Sequence, residues 1–88
     1  MIFKPTENFW RKFYALSPGQ KQIVREKWEI FKINPFDPRL GTHRIASLSA
    51  RMKKTVWSVV IDYDLRAVFV VDGDIVTTID IGSHDIYR

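Results

Sequence analysis

The chain has 88 residues, a formal net charge of +4 and no cysteine. That length makes one small domain, residues 1–88, with 45% hydrophobic and 14% aromatic content to supply its core. Disulfide and thiolate chemistry are excluded, disorder is disfavoured by the aromatic and β-branched content, and no apolar run is long enough for a membrane span. The segment Met1-Ile2-Phe3-Lys4-Pro5 lacks the apolar core of a secretory signal, so the chain is read as cytoplasmic.

Met1–Lys4 is a candidate edge strand. Thr6 caps a helix expected from Glu7 to about Leu16, with Phe9, Phe13 and Leu16 on one stripe. Ser17-Pro18-Gly19-Gln20 stops that helix and starts the next: serine as N-cap, proline in the first turn and glutamine three residues after the cap. The second helix runs to about Ile33 on a stripe of Val24, Trp28 and Phe31. Asn34-Pro35 ends it, because the residue before proline avoids the α region. So little chain joins the two helices that an antiparallel hairpin is expected. The helical spacing of Trp10, Trp28 and Phe31, and the strand alternation around Trp57, read as core packing rather than base stacking.

Beyond Gly41 the period changes. His43–Leu48 reads as a short strand and Ser49–Lys54 as a polar connection. Val56–Tyr63, Leu65–Val71 and Ile75–Ile81 alternate as strands, with Asp72-Gly73 a tight-turn signal between the last two. Three strands with short links make an antiparallel meander. The expected class is α+β, with an N-terminal helical hairpin packed on one face of a small antiparallel sheet and the other face open.

Charge is unevenly spread. Arg39, Arg44, Arg51, Lys53 and Lys54 occupy one stretch without an acidic residue, a pattern suited to phosphate, although on charge alone a solvated loop and strand edge is the commoner reading. From Asp62 onward carboxylates dominate. The chain closes on Ile81-Gly82-Ser83-His84-Asp85-Ile86-Tyr87, where Gly82 is read as permitting a sharp turn and His84, Asp85 and Tyr87 can all handle protons. Arg66 lies in an apolar strand, where a buried charge needs a partner.

Taken in order, Asn34-Pro35, His43-Arg44-Ile45, Trp57-Ser58-Val59-Val60-Ile61, Asp64-Leu65-Arg66-Ala67-Val68-Phe69 and Ile81–Tyr87 resemble the RelE/ParE superfamily of toxins from type II toxin–antitoxin systems, most closely the YafQ-like branch of RelE-type mRNA interferases. The resemblance implies a ribosome-dependent endoribonuclease that uses no metal or other cofactor, acts on mRNA and is held inactive by a cognate antitoxin, with no membrane partner. In such cleavage the RNA 2′-hydroxyl attacks phosphorus, and the protein supplies a base, an acid and positive charge. By the resemblance, His84 is the general acid, His43 a base or phosphate ligand, and Asp64 an orienting or accepting carboxylate. Arg66 holds phosphate oxygens, and Tyr87 stacks on a base or donates a proton. Arg44, Arg51, Lys53 and Lys54 bind the RNA backbone. An acidic antitoxin segment would suit the Arg39–Lys54 stretch. The chain departs from the branch in carrying Val60 where another histidine stands, and Tyr87 one place earlier than the terminal aromatic. The same fold also accommodates a ParE-like gyrase inhibitor and a catalytically silent module that binds an antitoxin or RNA.

Overall fold

The computed structural model describes all residues from Met1 to Arg88. Its elements are β1 (Ile2–Pro5), α1 (Glu7–Tyr14), α2 (Pro18–Phe31), β2 (His43–Arg44), α3 (Ala46–Met52), β3 (Val56–Asp62), β4 (Leu65–Asp72) and β5 (Ile75–Gly82), with short 3₁₀ turns at Pro38–Leu40 and His84–Tyr87. One five-stranded sheet runs in the order β1-β5-β4-β3-β2. The meander β3–β4–β5 is antiparallel, and β1 closes the far edge parallel to β5.

The helix starts follow from their caps. Thr6 accepts from the Phe9 amide, and at Ser17 both halves of the capping box with Gln20 are formed. Both helices contribute to one apolar core on a single face of the sheet, where Phe9, Phe13 and Phe31 pack with Val59, Ala67, Phe69 and Ile81. Phe69 is wholly buried and meets Phe31 edge to face, with ring centroids 5.0 Å apart. Such packing adds to the area the rings remove from water.

Four expectations need correction. The expected strand His43–Leu48 is only two residues long, and the chain from Ala46 is helical. Ala46, Leu48, Arg51 and Met52 are good helix formers, and Ile45, Leu48 and Ser49 bury one side at helical spacing. The polar connection Ser49–Lys54 is therefore largely helix. It ends on Lys53 in the left-handed region at φ 56°, a conformation more usual for glycine. Nor is the second face of the sheet open. Helix α3 and the closing turn cover it, and Ile45 and Leu48 form a second core with Val56, Val68 and Val70, against which Ile79, Ile86 and Tyr87 pack. Finally, Gly82 has no positive φ. Its requirement is space, because a Cβ there would lie 2.7 Å from Ile86 Cγ2.

Candidate functional site

The polar site lies on the second face, at the end of the sheet where the β3–β4 turn meets the chain leaving β5. Arg66 stands opposite Val60 on β3 and Gly82 on β5. Two residues past Gly82, His84 returns over the turn. Its Nδ1 lies 2.8 Å from Asp64 Oδ1, and its backbone amide reaches the same oxygen at 3.3 Å. A carboxylate oxygen only accepts, so Nδ1 carries the proton and Nε2 is left unengaged within the chain. The hydrogen bond from the His84 ring, then that from its amide, hold the Asp64 carboxyl below its usual range, and the Arg66 charge adds to the effect. Both side chains of the pair are more than half exposed, at 57% for His84 and 56% for Asp64, so substrate can reach them.

Arg66 has the partner its strand position demands. One guanidinium nitrogen donates to the carbonyls of Asp62, Tyr63 and Leu65. The charge is drawn back onto the turn beside Asp64, with the other guanidinium nitrogens outside these bonds.

Tyr87 is fixed at both its ends. Its phenol shares a short hydrogen bond with Ser58 Oγ. Its carbonyl accepts from Arg51 at 3.1 Å and from Ser47 at 3.4 Å. Its ring stands edge-on to the His84 imidazole, centroids 5.7 Å apart. Ser58 is wholly buried and is the residue that sequence reasoning passed over. The available signal was a lone hydroxyl between Trp57 and Val59 in an otherwise apolar strand.

His43 lies opposite Ser58 in the β2–β3 ladder, and paired residues share a face, so it stands on the same side of the sheet. Two strands and one pleat repeat separate it from Arg66, roughly 12 Å between Cα atoms from ideal sheet spacings. Its Nδ1 donates to the Gly41 carbonyl at 2.9 Å, again leaving Nε2 unengaged. No hydrogen bond joins His43 to the His84–Asp64 pair.

The basic stretch divides into three. Arg39 is taken by Asp37 through paired hydrogen bonds of 3.0 Å, and that contact draws Asp37 down from 3.8 to about 2. Arg51 serves the closing turn, as above. Arg44, Lys53 and Lys54 remain exposed around a shallow polar depression with Ser49 and Thr55. Nowhere do three or more His, Asp or Glu side chains gather as a metal would need. No helix is long and apolar enough to cross a membrane.

No family model and no curated protein matches the chain. Solved structures do share its fold. An archaeal RelE–RelB complex from Pyrococcus horikoshii aligns with a TM-score of 0.72 at 9% identity, over 93% of this chain and 92% of that one. A YoeB/ParE toxin from Agrobacterium tumefaciens gives 0.72 at 20% identity, over 96% and 99%. A copper-bound mutant toxin from Helicobacter pylori gives 0.67 at 18% identity, over 98% and 97%. The resemblance to the RelE/ParE superfamily therefore extends to the fold, over essentially the whole chain.

Proposed function

We propose that this chain is the toxin of a type II toxin–antitoxin system, acting in the cytoplasm as a ribosome-dependent mRNA endoribonuclease and silenced by a cognate antitoxin. The observation that carries the reading is the His84–Asp64 pair beside Arg66, on a fold shared with RelE and YoeB/ParE toxins.

In-line cleavage at a phosphodiester needs a proton removed from the 2′-hydroxyl and one delivered to the 5′-oxygen. Asp64 fixes the ring of His84, so that its Nε2 accepts a proton when neutral and donates one when charged. We assign it the donor step, with Asp64 stabilising the imidazolium from which the proton leaves. His43, with the same free nitrogen on the same face, takes the proton of the attacking hydroxyl or holds a neighbouring phosphate. Arg66 neutralises charge that develops on the phosphorane through the guanidinium nitrogens that the β3–β4 carbonyls leave free. Tyr87 offers a ring for a base, at a position set by Ser58. Arg44, Lys53 and Lys54 track the RNA backbone by charge, without reading sequence.

A second reading, a silent module that binds an antitoxin or RNA, is favoured by the engagement of Arg66 and Tyr87 within the chain. A ParE-like gyrase inhibitor is a third. Purified protein added to a programmed ribosome, with mRNA ends mapped, separates them. Cuts at defined codons support the nuclease. Intact mRNA with lost supercoiling by gyrase supports the inhibitor, and neither effect supports the silent module.

A further inference from the structure

The β3–β4 turn carries an aromatic ring that the proposed cleavage does not use. Every other phenylalanine, tyrosine and tryptophan of the chain meets another aromatic ring. Tyr63 meets none and is 94% exposed, the most exposed of the large hydrophobic side chains. It removes almost no area from water, so folding gains little from it. The turn does not require it either. Tyr63 and Asp64 are the two residues between the paired Asp62 and Leu65, where glycine, asparagine, aspartate and serine are the usual occupants.

The backbone beneath the ring is nonetheless held in place. The Tyr63 carbonyl accepts from Arg66 at 3.3 Å, and the same guanidinium nitrogen holds the carbonyls of Asp62 and Leu65. The next residue, Asp64, is tied to the ring and the amide of His84. A tyrosine on such a base has only two side-chain torsions to fix when its ring is covered. Its place is also distinct from that of the other exposed aromatics, which belong to the α1/α2 side. Trp10 and Tyr14 rim an open cleft between those helices, and Phe36 packs on Trp57 and Phe69. Tyr87, beyond His84, has its phenol engaged by Ser58 and its ring packed against the second core.

Charge selects what the turn can take. Asp62 and Asp64 flank Tyr63, both exposed, and His84 favours the ionised form of Asp64. Two carboxylates repel a phosphate, whereas the face of a nucleobase is neutral. The phosphate is left to Arg66 and His84. We propose that Tyr63 is a stacking platform for an unpaired nucleobase, adjoining the phosphate that Arg66 and His84 hold. The inference rests on the reading of this face as the RNA site, and adds which part of the substrate is gripped and by which ring. Stacking tolerates every base, since each has a π-face, so the platform favours purines for their larger face without reading a sequence.

2-Aminopurine, whose fluorescence is quenched when it stacks, reports the contact. The probe is a single-stranded RNA carrying 2-aminopurine at each position in turn and 2′-O-methylated throughout, so that no 2′-hydroxyl can attack. The full chain is titrated into this RNA free in solution, and into the same RNA presented in the vacant decoding site of a ribosome. Wild type should quench saturably, and Tyr63→Phe should bind within about twofold of it. Tyr63→Leu should bind about tenfold more weakly and lose most of the quenching. Urea midpoints of the three proteins should coincide, because the side chain is exposed. The proposal is overturned if Tyr63→Leu matches wild type, or if wild type quenches in neither setting. It is also overturned if Tyr63→Phe fails as badly as Tyr63→Leu, because the hydroxyl and not the ring would then make the contact. Cleavage of unmodified mRNA is scored separately. Tyr63-dependent quenching without cuts keeps the platform and rejects the nuclease reading. Cuts by Tyr63→Leu at the wild-type rate and codons keep the nuclease and reject the platform.

Discussion

The two faces of the sheet are built by different rules. On the α1/α2 face, aromatic rings and aliphatic side chains make most of the contacts, with a polar seam where α1 meets β5: Lys12 pairs with Asp80, and Thr6 and Asn8 donate to the Ile79 carbonyl. On the α3 face, a small aliphatic core is bordered by hydrogen-bonded side chains that hold each other in place: Asp64 with His84, Ser58 with Tyr87, and Arg66 with the turn carbonyls. The difference teaches where stability and chemistry reside. A change on the first face should act on folding. A change among the exposed groups of the second should act on function and leave the fold intact.

The sharpest contrast comes from Phe69. Truncation to alanine at a wholly buried position should cost about 3–5 kcal/mol, read as a lower urea midpoint. An effect under 1 kcal/mol would show that the cleft side of the core is loosely packed. Gly82→Ala tests the boundary between strand and closing turn. Its Cβ must displace Ile86, at a cost of about 1–3 kcal/mol, and should loosen Tyr87 and His84 together. Hydrogen exchange at Ile86 and Arg88, whose amides bond back to Ser83 and Asp85, would report that loosening. Unchanged protection would mean that Ile86 moves aside freely.

Tyr87→Phe removes one partner of a part-buried pair and leaves the buried Ser58 Oγ without it, a loss of about 1 kcal/mol. The double variant with Ser58→Ala should recover most of that loss, because neither group is then orphaned. Additive losses would contradict the pairing. The smallest effect is in acid. The Asp37 carboxyl is held near 2 in the folded chain against 3.8 unperturbed. Its contribution is therefore complete above about pH 4 and disappears as the pH falls through the folded value. The difference in urea midpoint between wild type and Asp37→Asn should shrink over that interval. A constant difference would show that Arg39 pairs with Asp37 only weakly.

Much of this was legible in the residues, for physical reasons. The caps at Thr6 and Ser17, the period-two strands and the Asp72-Gly73 turn are local signals, and the elements follow them. His84 and Asp64 were singled out separately, and the fold brings them to 2.8 Å. What was not legible depends on tertiary contact. Ile45 and Leu48 fit a strand or a helix, and the exposed apolar face of β3 and β4 decides for helix. Ser58 offers only a lone hydroxyl in an apolar stretch as a local signal, since its importance comes from a tyrosine far along the chain. Arg39 and Arg51 looked like free cations because charge counting cannot see a nearby carboxylate or carbonyl taking them up.

The most direct test of the account is the mapping of mRNA ends by primer extension after induction, with wild type and His84→Ala compared side by side. The exposed imidazole carries little of the fold, so His84→Ala should unfold within about 0.5 kcal/mol of wild type. Wild type should produce new ends at defined codons, and the variant should lose about 10²–10⁴-fold of that cleavage. A stable His84→Ala protein that cuts as well as wild type would contradict the assignment of chemistry to this face.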